Sequence, residues 1–237
     1  MRKIKAVLFD LDGTLLPMDQ DLFVKTYFKK LALKMAPLGY EPEKLIQAVW
    51  GGTSAMVQND GSASNEDVFW NFFGGVFGER ALEDIPVFRS FYEVEFQEAR
   101  TVCGFNPQAA RSVRLCRELG LRTILATNPL FPAVATESRM AWAGVSPADF
   151  EYYTTYENSV HCKPNPDYYR DILAHCSLTP QECLMVGNDV DEDMGTLDLG
   201  MQVFLLTDCL INRREADVSL YPNGGFPELQ EHIRRLV

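Results

Sequence analysis

The chain is short of basic residues, lacks any Cys-x-x-Cys pair and offers no apolar run that could cross a bilayer. Its 22 Lys and Arg stand against 33 Asp and Glu, a net charge of −11. A nucleic acid or an anionic membrane would repel such a chain, so neither is expected as a partner. Any phosphate it handles must be met by a few local donors or a metal. The six cysteines (Cys103, Cys116, Cys162, Cys176, Cys183 and Cys209) are scattered through a chain too long to need a disulfide framework. Free thiols in a reducing cytoplasm are the expectation. The basic start Met1-Arg2-Lys3-Ile4-Lys5 leads into a short apolar run that stops at Asp10, too little for a secretory signal or a membrane span. There is no internal repeat or low-complexity tract. Neither Gly51-Gly52 nor Gly74-Gly75 sits in a strand–Gly-x-Gly-x-x-Gly–helix frame, which leaves a dinucleotide fold without support.

What is present is a series of short apolar runs, each ending in a polar residue. Ala6-Val7-Leu8-Phe9 meets Asp10, and Thr123-Ile124-Leu125-Ala126 meets Thr127-Asn128. Cys183-Leu184-Met185-Val186 meets Gly187-Asn188-Asp189, and Val203-Phe204-Leu205-Leu206 meets Thr207-Asp208. Apolar strands without alternation are what a parallel sheet covered on both faces requires. Helices are expected between the later runs. One opens at Asn106-Pro107, with Ala110, Val113 and Leu119 as its apolar face and Gly120 as its stop. Another spans 132–143, and a third opens at Asn165-Pro166 with Tyr169, Ile172, Leu173 and Cys176 on one side. Strand–helix–strand alternation from about residue 100 onward predicts a doubly wound α/β sheet, whose ligands bind beyond the carboxyl ends of the strands.

The segment 18–100 reads differently. Aromatic residues recur there at helical spacing, as in Phe23 with Tyr27 and Phe69 with Trp70 and Phe73, and no buried-strand run interrupts them. These rings are read as core rather than as a ligand box. Gly51-Gly52-Thr53, Asn59-Asp60-Gly61 and Gly74-Gly75 are expected to break one helix from the next. With 237 residues, 46% of them hydrophobic, the chain can then bury a sheet domain carrying an early helical insertion.

Asp10-Leu11-Asp12-Gly13-Thr14-Leu15 follows the first strand directly. Two carboxylates one residue apart at the edge of a buried sheet repel each other unless protons or a cation compensate. Gly13 permits a sharp turn and Thr14 can cap it. One carboxylate can attack an electrophile while its neighbour trades a proton with the leaving group. Hard oxygen ligands of this kind select Mg²⁺.

These residues resemble the haloacid dehalogenase superfamily, with its four motifs in order: Asp10 to Leu15; Thr127; Lys163 in His161-Cys162-Lys163-Pro164-Asn165-Pro166; and the acidic cluster from Gly187 to Asp193. The resemblance implies a doubly wound parallel-sheet (Rossmann-like) α/β core, residues 1–17 and 101–237, with an α-helical cap inserted at 18–100. It also implies that Asp10 is a nucleophile forming an aspartyl-phosphate and that Asp12 is the general acid and base. Thr127, Asn128 and Lys163 would bind the phosphoryl group. Mg²⁺ would be held by Asp10, the Asp12 main-chain carbonyl and the acidic cluster. The family's fourth motif usually begins Gly-Asp, whereas Asn188 follows Gly187 here. Either Asp189 takes the first ligand position or Asn188 offers a neutral oxygen, with Asp193 as the second acidic member. Asp189 is preferred because a carboxylate suits Mg²⁺ better than an amide. Asp191 and Glu192 are read as a solvated helix start.

The dehalogenating branch lacks a carboxylate two residues after its nucleophile, so Asp12 favours phosphoryl transfer. The resemblance then implies a phosphoglycolate-phosphatase-like enzyme acting on a small phosphorylated metabolite. A phosphomutase would use the same residues, and an aspartate-phosphorylated signalling switch is the alternative of another class. His161-Cys162 and His175-Cys176 do not converge on a zinc site by spacing. Arg111, Arg114 and Arg117 read as a solvated helix face.

Overall fold

The computed structural model describes residues 3–237; Met1 and Arg2 of the basic start lie outside the described residues. Six parallel strands form one sheet: β1 (Ala6–Phe9), β2 (Arg122–Leu125), β3 (Tyr152–Tyr153), β4 (Cys183–Gly187), β5 (Gln202–Leu206) and β6 (Asn223–Gly224). Their order is β3-β2-β1-β4-β5-β6. All four expected runs are strands, whereas the two-residue edge strands β3 and β6 were not foreseen. The chain runs outward from β1 to β2 and β3, then restarts on the other side of β1 with β4. That reversal opens the crevice between the carboxyl ends of β1 and β4. Phe9 sits level with Leu125 on one side and Val186 on the other, so Asp10, Thr127 and Asn188 emerge close to one edge.

After β1 the insertion contributes five helices, α1 (Gln20–Met35), α2 (Pro42–Val57), α3 (Asn65–Phe77), α4 (Arg80–Glu83) and α5 (Ile85–Glu93), followed by a 3₁₀ segment, Glu95–Val102. Local capping starts three of them. The side chains of Asp19, Glu41 and Ser64 accept backbone N–H groups in the first turns of α1, α2 and α3. The aromatic residues are core, as expected: Phe73 packs against Phe69, Trp70 and Phe88, and Tyr27 against Phe91 and Phe96. Where the segment begins and ends, the chain lies beside itself. Met18 bridges Cys103, and the Gly104 N–H donates to the Pro17 carbonyl at 2.7 Å.

Two of the three expected breaks are corrected. Gly51-Gly52-Thr53 lies inside α2 and Gly74-Gly75 inside α3, while Asn59-Asp60-Gly61 does separate α2 from α3. Packing is the reason at the first pair. A Cβ on Gly51 would lie 2.4 Å from the Phe72 ring, and one on Gly52 would lie 2.6 Å from Phe69. The missing side chains let α3 seat its rings against α2.

The remaining helices cover the sheet. α6 (Pro107–Glu118), α7 (Ala133–Trp142), α8 (Pro166–His175) and α9 (Phe226–Leu236) follow in order. Asn106 caps α6 and Asn165 caps α8, each with Pro at the first helical position. The buried face of α6 is Ala109, Ser112, Val113 and Cys116, turned by one residue from the expected face, with Ala110 and Leu119 only partly buried. Alternate strand residues enter different cores. Val7, Phe9, Leu184 and Val186 pack with α6 and α9, while Ala6, Leu8, Cys183 and Met185 pack with α8. Both faces are therefore dry, which explains the unbroken apolar strands. Among the described residues no helix is long and apolar enough to cross a membrane.

Candidate active site

β1 delivers Asp10 to the sheet edge, where the chain turns sharply through Gly13. Gly13 has φ +85°, and a Cβ there would meet the Asn188 amide at 2.4 Å. The Thr14 hydroxyl lies 2.9 Å from both Asp10 Oδ2 and Asn188 Oδ1. Asn188 Nδ2 donates to the Cys209 carbonyl at 2.6 Å. Asn188 is thus a brace between the first motif, the fourth motif and the loop after β5. Its amide oxygen and its amide nitrogen each have a protein partner.

Lys163 reaches the same carboxylate from the loop before α8. Its side chain is 1% exposed, and its ammonium donates to Asp10 Oδ1 at 2.8 Å and Asp193 Oδ1 at 2.7 Å. Burial alone would push this ammonium's pKa down, but Asp10 and Asp193 more than reverse that and hold it charged. Burial pushes the Asp193 carboxyl up, to about 7, against the opposing pull of Lys163. Asp193 Oδ2 also accepts the Asp189 N–H at 3.1 Å, which locks the acidic turn under the lysine. Asn128 Oδ1 accepts the Lys163 N–H at 3.2 Å, joining the second motif to the third. Thr127 is held by its carbonyl, which accepts from Tyr168 and Thr154 at 2.8 and 2.6 Å.

Asp12 is held differently. Its Oδ2 accepts from Arg139 of α7, whose side chain is wholly buried. Its Oδ1 is buried and has no hydrogen-bond partner. Burial raises the Asp12 carboxyl above the usual carboxylate range, although the Arg139 guanidinium pulls it down. Arg139 in turn lies over the Phe131 ring, 4.5 Å from its centroid.

Asp189 faces the opening. Its Oδ1 accepts the Asp191 and Glu192 N–H groups, and its Oδ2 accepts from Arg213 at 2.7 Å. The Arg213 side chain is 58% exposed, so it can swing away at little cost. Glu192 corrects the expectation of a solvated acid. It turns toward the pocket, accepts from Asn128 at 3.4 Å, and burial raises its carboxyl. The acidic cluster is also a turn rather than a helix start, with a 3₁₀ segment beginning at Met194.

Asp10, Asp12, Thr127, Asn128, Asn188, Asp189 and Asp193 all line one pocket of about 190 Å³. Arg139 and Arg213 escaped the sequence reading. A lone arginine among the buried residues Ala135, Thr136 and Met140 of α7 is a signal that could have revealed the first; nothing local marks the second. His161 pairs with Asp171 at 2.7 Å and His175 stacks on Tyr152, and the two histidines line one pocket beside α8. Among the described residues no three histidines, cysteines or carboxylates form a ready-made metal cage.

Known proteins resemble this chain in sequence or in fold. A pyrophosphatase, PpaX, of Bacillus velezensis is 22% identical over 199 residues, which cover 84% of this chain and 81% of that protein. A 2-haloacid dehalogenase from Pseudomonas syringae superposes with TM-score 0.65 at 18% identity, over 99% of this chain and all of that one. A haloacid dehalogenase-type phosphatase from Thermococcus onnurineus gives 0.60 at 19% identity, covering 97% and 98%. At such identities the solved structures speak to fold alone, and they include both dehalogenating and dephosphorylating enzymes. The family model for haloacid dehalogenase-like hydrolases matches residues 4–197, a span that takes in all four motif segments, and the chain belongs to that family.

Proposed function

We propose that the protein is a Mg²⁺-dependent phosphatase that hydrolyses small phosphate monoesters through a phosphoryl-aspartate on Asp10. The observation that carries this reading is Asp12, with one oxygen gripped by Arg139 and the other buried and free. A departing halide needs no proton, whereas a departing alkoxide does. A carboxyl raised by burial is suited to giving one.

The donor set suits the metal. Five carboxyl groups (Asp10, Asp12, Asp189, Glu192 and Asp193) crowd this edge of the sheet, and hard oxygen donors of this kind suit a divalent ion. Mg²⁺ usually keeps several waters and takes only one or two protein carboxylates, so a full protein cage is not required. Asp10, the Asp12 main-chain carbonyl and Asp189 would hold it, and Asp193 stands behind them on Lys163. When bound, the ion neutralises the charge that otherwise opposes carboxylate attack on an anionic phosphate. Asn188, braced between Thr14 and Cys209, is read as structural rather than as a ligand.

Thr14 and Lys163 orient the Asp10 carboxylate, one on each oxygen. Asp10 forms a bond to phosphorus as the ester oxygen leaves with the Asp12 proton. Asp12, now ionised, takes a proton from the water that attacks the phosphoryl-aspartate, which releases inorganic phosphate and restores Asp10. Lys163, Thr127 and Asn128 hold the phosphoryl oxygens and offset charge in both steps. Six free cysteines and the net negative charge support a cytoplasmic enzyme acting on a small phosphorylated metabolite.

The test is phosphate release from a panel of phosphoesters and sugar phosphates with Mg²⁺. Steady release that disappears in Asp10→Asn and in EDTA is expected. Transfer to a second sugar hydroxyl without steady release would indicate a mutase instead. No turnover anywhere in the panel would overturn the reading.

A further inference from the structure

We propose that the leaving group of the cleaved ester is apolar and about the size of one six-membered ring, seated in a chamber between the helical insertion and the loop after β2. The inference rests on the phosphatase reading of Asp10 and Asp12. The chamber has a volume of about 140 Å³, and its walls come from α1, α2, α3, α5, residues 130–132 and Tyr156. Among the described residues no charged side chain lines it. Tyr27 and Tyr92 bond to each other at 2.9 Å, and Trp70 donates to the Tyr156 hydroxyl at 3.4 Å, so each of these polar groups already has a protein partner.

Adjacency to the reacting centre says what fills the chamber. Val24, Leu130 and Phe131 line both the chamber and the carboxylate pocket, so only these side chains stand between the two spaces. The ring of Phe131 also lies against Arg139, the residue that holds Asp12. A leaving oxygen placed at Asp12 would have its carbon substituent on the Phe131 side, away from the carboxylates. A sugar or a second carboxylate in that position would lose its water and find no charged partner, which is costly. An alkyl chain or a single aromatic ring meets no such penalty. An engineered apolar cavity of about 150 Å³ in another protein holds a benzene molecule, which sets the scale here.

The experiment uses primary alkyl phosphates, whose leaving alcohols differ little in intrinsic reactivity, from ethyl to octyl. Benzyl phosphate, glycerol phosphate and phosphoglycolate complete the set. We expect kcat/KM to rise about fourfold per added methylene until the chamber is full, and benzyl phosphate to exceed the polar esters. Thr53→Phe, which fills the chamber from α2, should move the optimum to shorter chains, whereas Thr53→Ser should leave its position alone. Circular dichroism establishes that both variants are folded. A binding series read by tryptophan fluorescence runs in parallel, with methyl-, butyl- and hexylphosphonate as probes. A flat or falling dependence on chain length in both series, or faster cleavage of the polar esters, overturns the inference. If no ester turns over, the phosphatase reading fails, and the phosphonate series alone then decides on the chamber.

Discussion

Arg139 and Asp12 lie 127 residues apart in sequence and meet as an ion pair at the sheet edge, the arginine wholly buried and the aspartate left with one free oxygen. Removing the cation leaves a mostly buried carboxylate alone. Arg139→Met should lower stability by about 3 kcal/mol in urea unfolding, at the lower end for a broken buried pair because Asp12 is 22% exposed. The pH profile should move as well. Arg139 favours the ionised form of Asp12, so without it the carboxyl stays protonated to a higher pH. The alkaline limb of kcat/KM, where the acid is lost, should then shift upward. A limb that stays in place would mean that Asp12 is not the proton donor.

Asn188 and Asp189 are neighbours with separable roles. Asn188→Ala removes the brace from Thr14 to Cys209 and should cost about 2 kcal/mol of stability, with the Mg²⁺ concentration for half-maximal activity little changed. Asp189→Ala should do the reverse, raising that concentration at least tenfold with a small change in melting temperature. Titrating Mg²⁺ against both variants decides, and the opposite pattern would reassign the ligand to Asn188.

The glycines inside α2 give a contrast that helix propensity cannot. Alanine for glycine ordinarily stabilises a helix by up to about 1 kcal/mol. At Gly52 the new methyl meets Phe69, itself buried, and overpacking should make Gly52→Ala destabilising by about 1–2 kcal/mol. At Gly51 it meets Phe72, which is 39% exposed and can rotate away, so Gly51→Ala should be neutral or slightly stabilising. Denaturant midpoints of the two variants provide the comparison.

His232 of α9 sets an acid limit on the fold. Its Nε2 is buried without a partner beside Phe204, and burial, helped by Arg235, lowers its pKa below the ordinary histidine value. The unfolded chain therefore takes up this proton at a higher pH than the folded chain does. The stability from a neutral His232 is complete above about pH 6.5 and is lost as pH falls through the folded value. His232→Leu should flatten the decline in melting temperature between pH 7 and pH 5. Parallel curves for the two proteins would remove His232 from the account.

Residues whose neighbours in sequence are also their neighbours in space were the legible ones. β1 was read to the residue, because four apolar residues before a carboxylate form a local pattern. The caps at Asn106 and Asn165 were legible for the same reason, each being a side chain bonded two residues ahead. The short strands β3 and β6 were not, since two residues carry no periodicity. Gly51-Gly52 misled because the local preference of glycine is to end a helix, and only the rings of α3 across the interface make its absent side chain useful.

The shortage of positive charge shows the same division. By itself the sequence determined that the chain carries excess acid, that its carboxylates sit at strand ends, and that few cations are available to meet them. Those are matters of composition and spacing. Tertiary structure decided which cation meets which acid: Lys163 bridges Asp10 and Asp193, Arg139 takes one oxygen of Asp12, and Arg213 covers Asp189. Such pairings depend on distances between residues far apart in the chain, which only the packed sheet and its helices bring within reach.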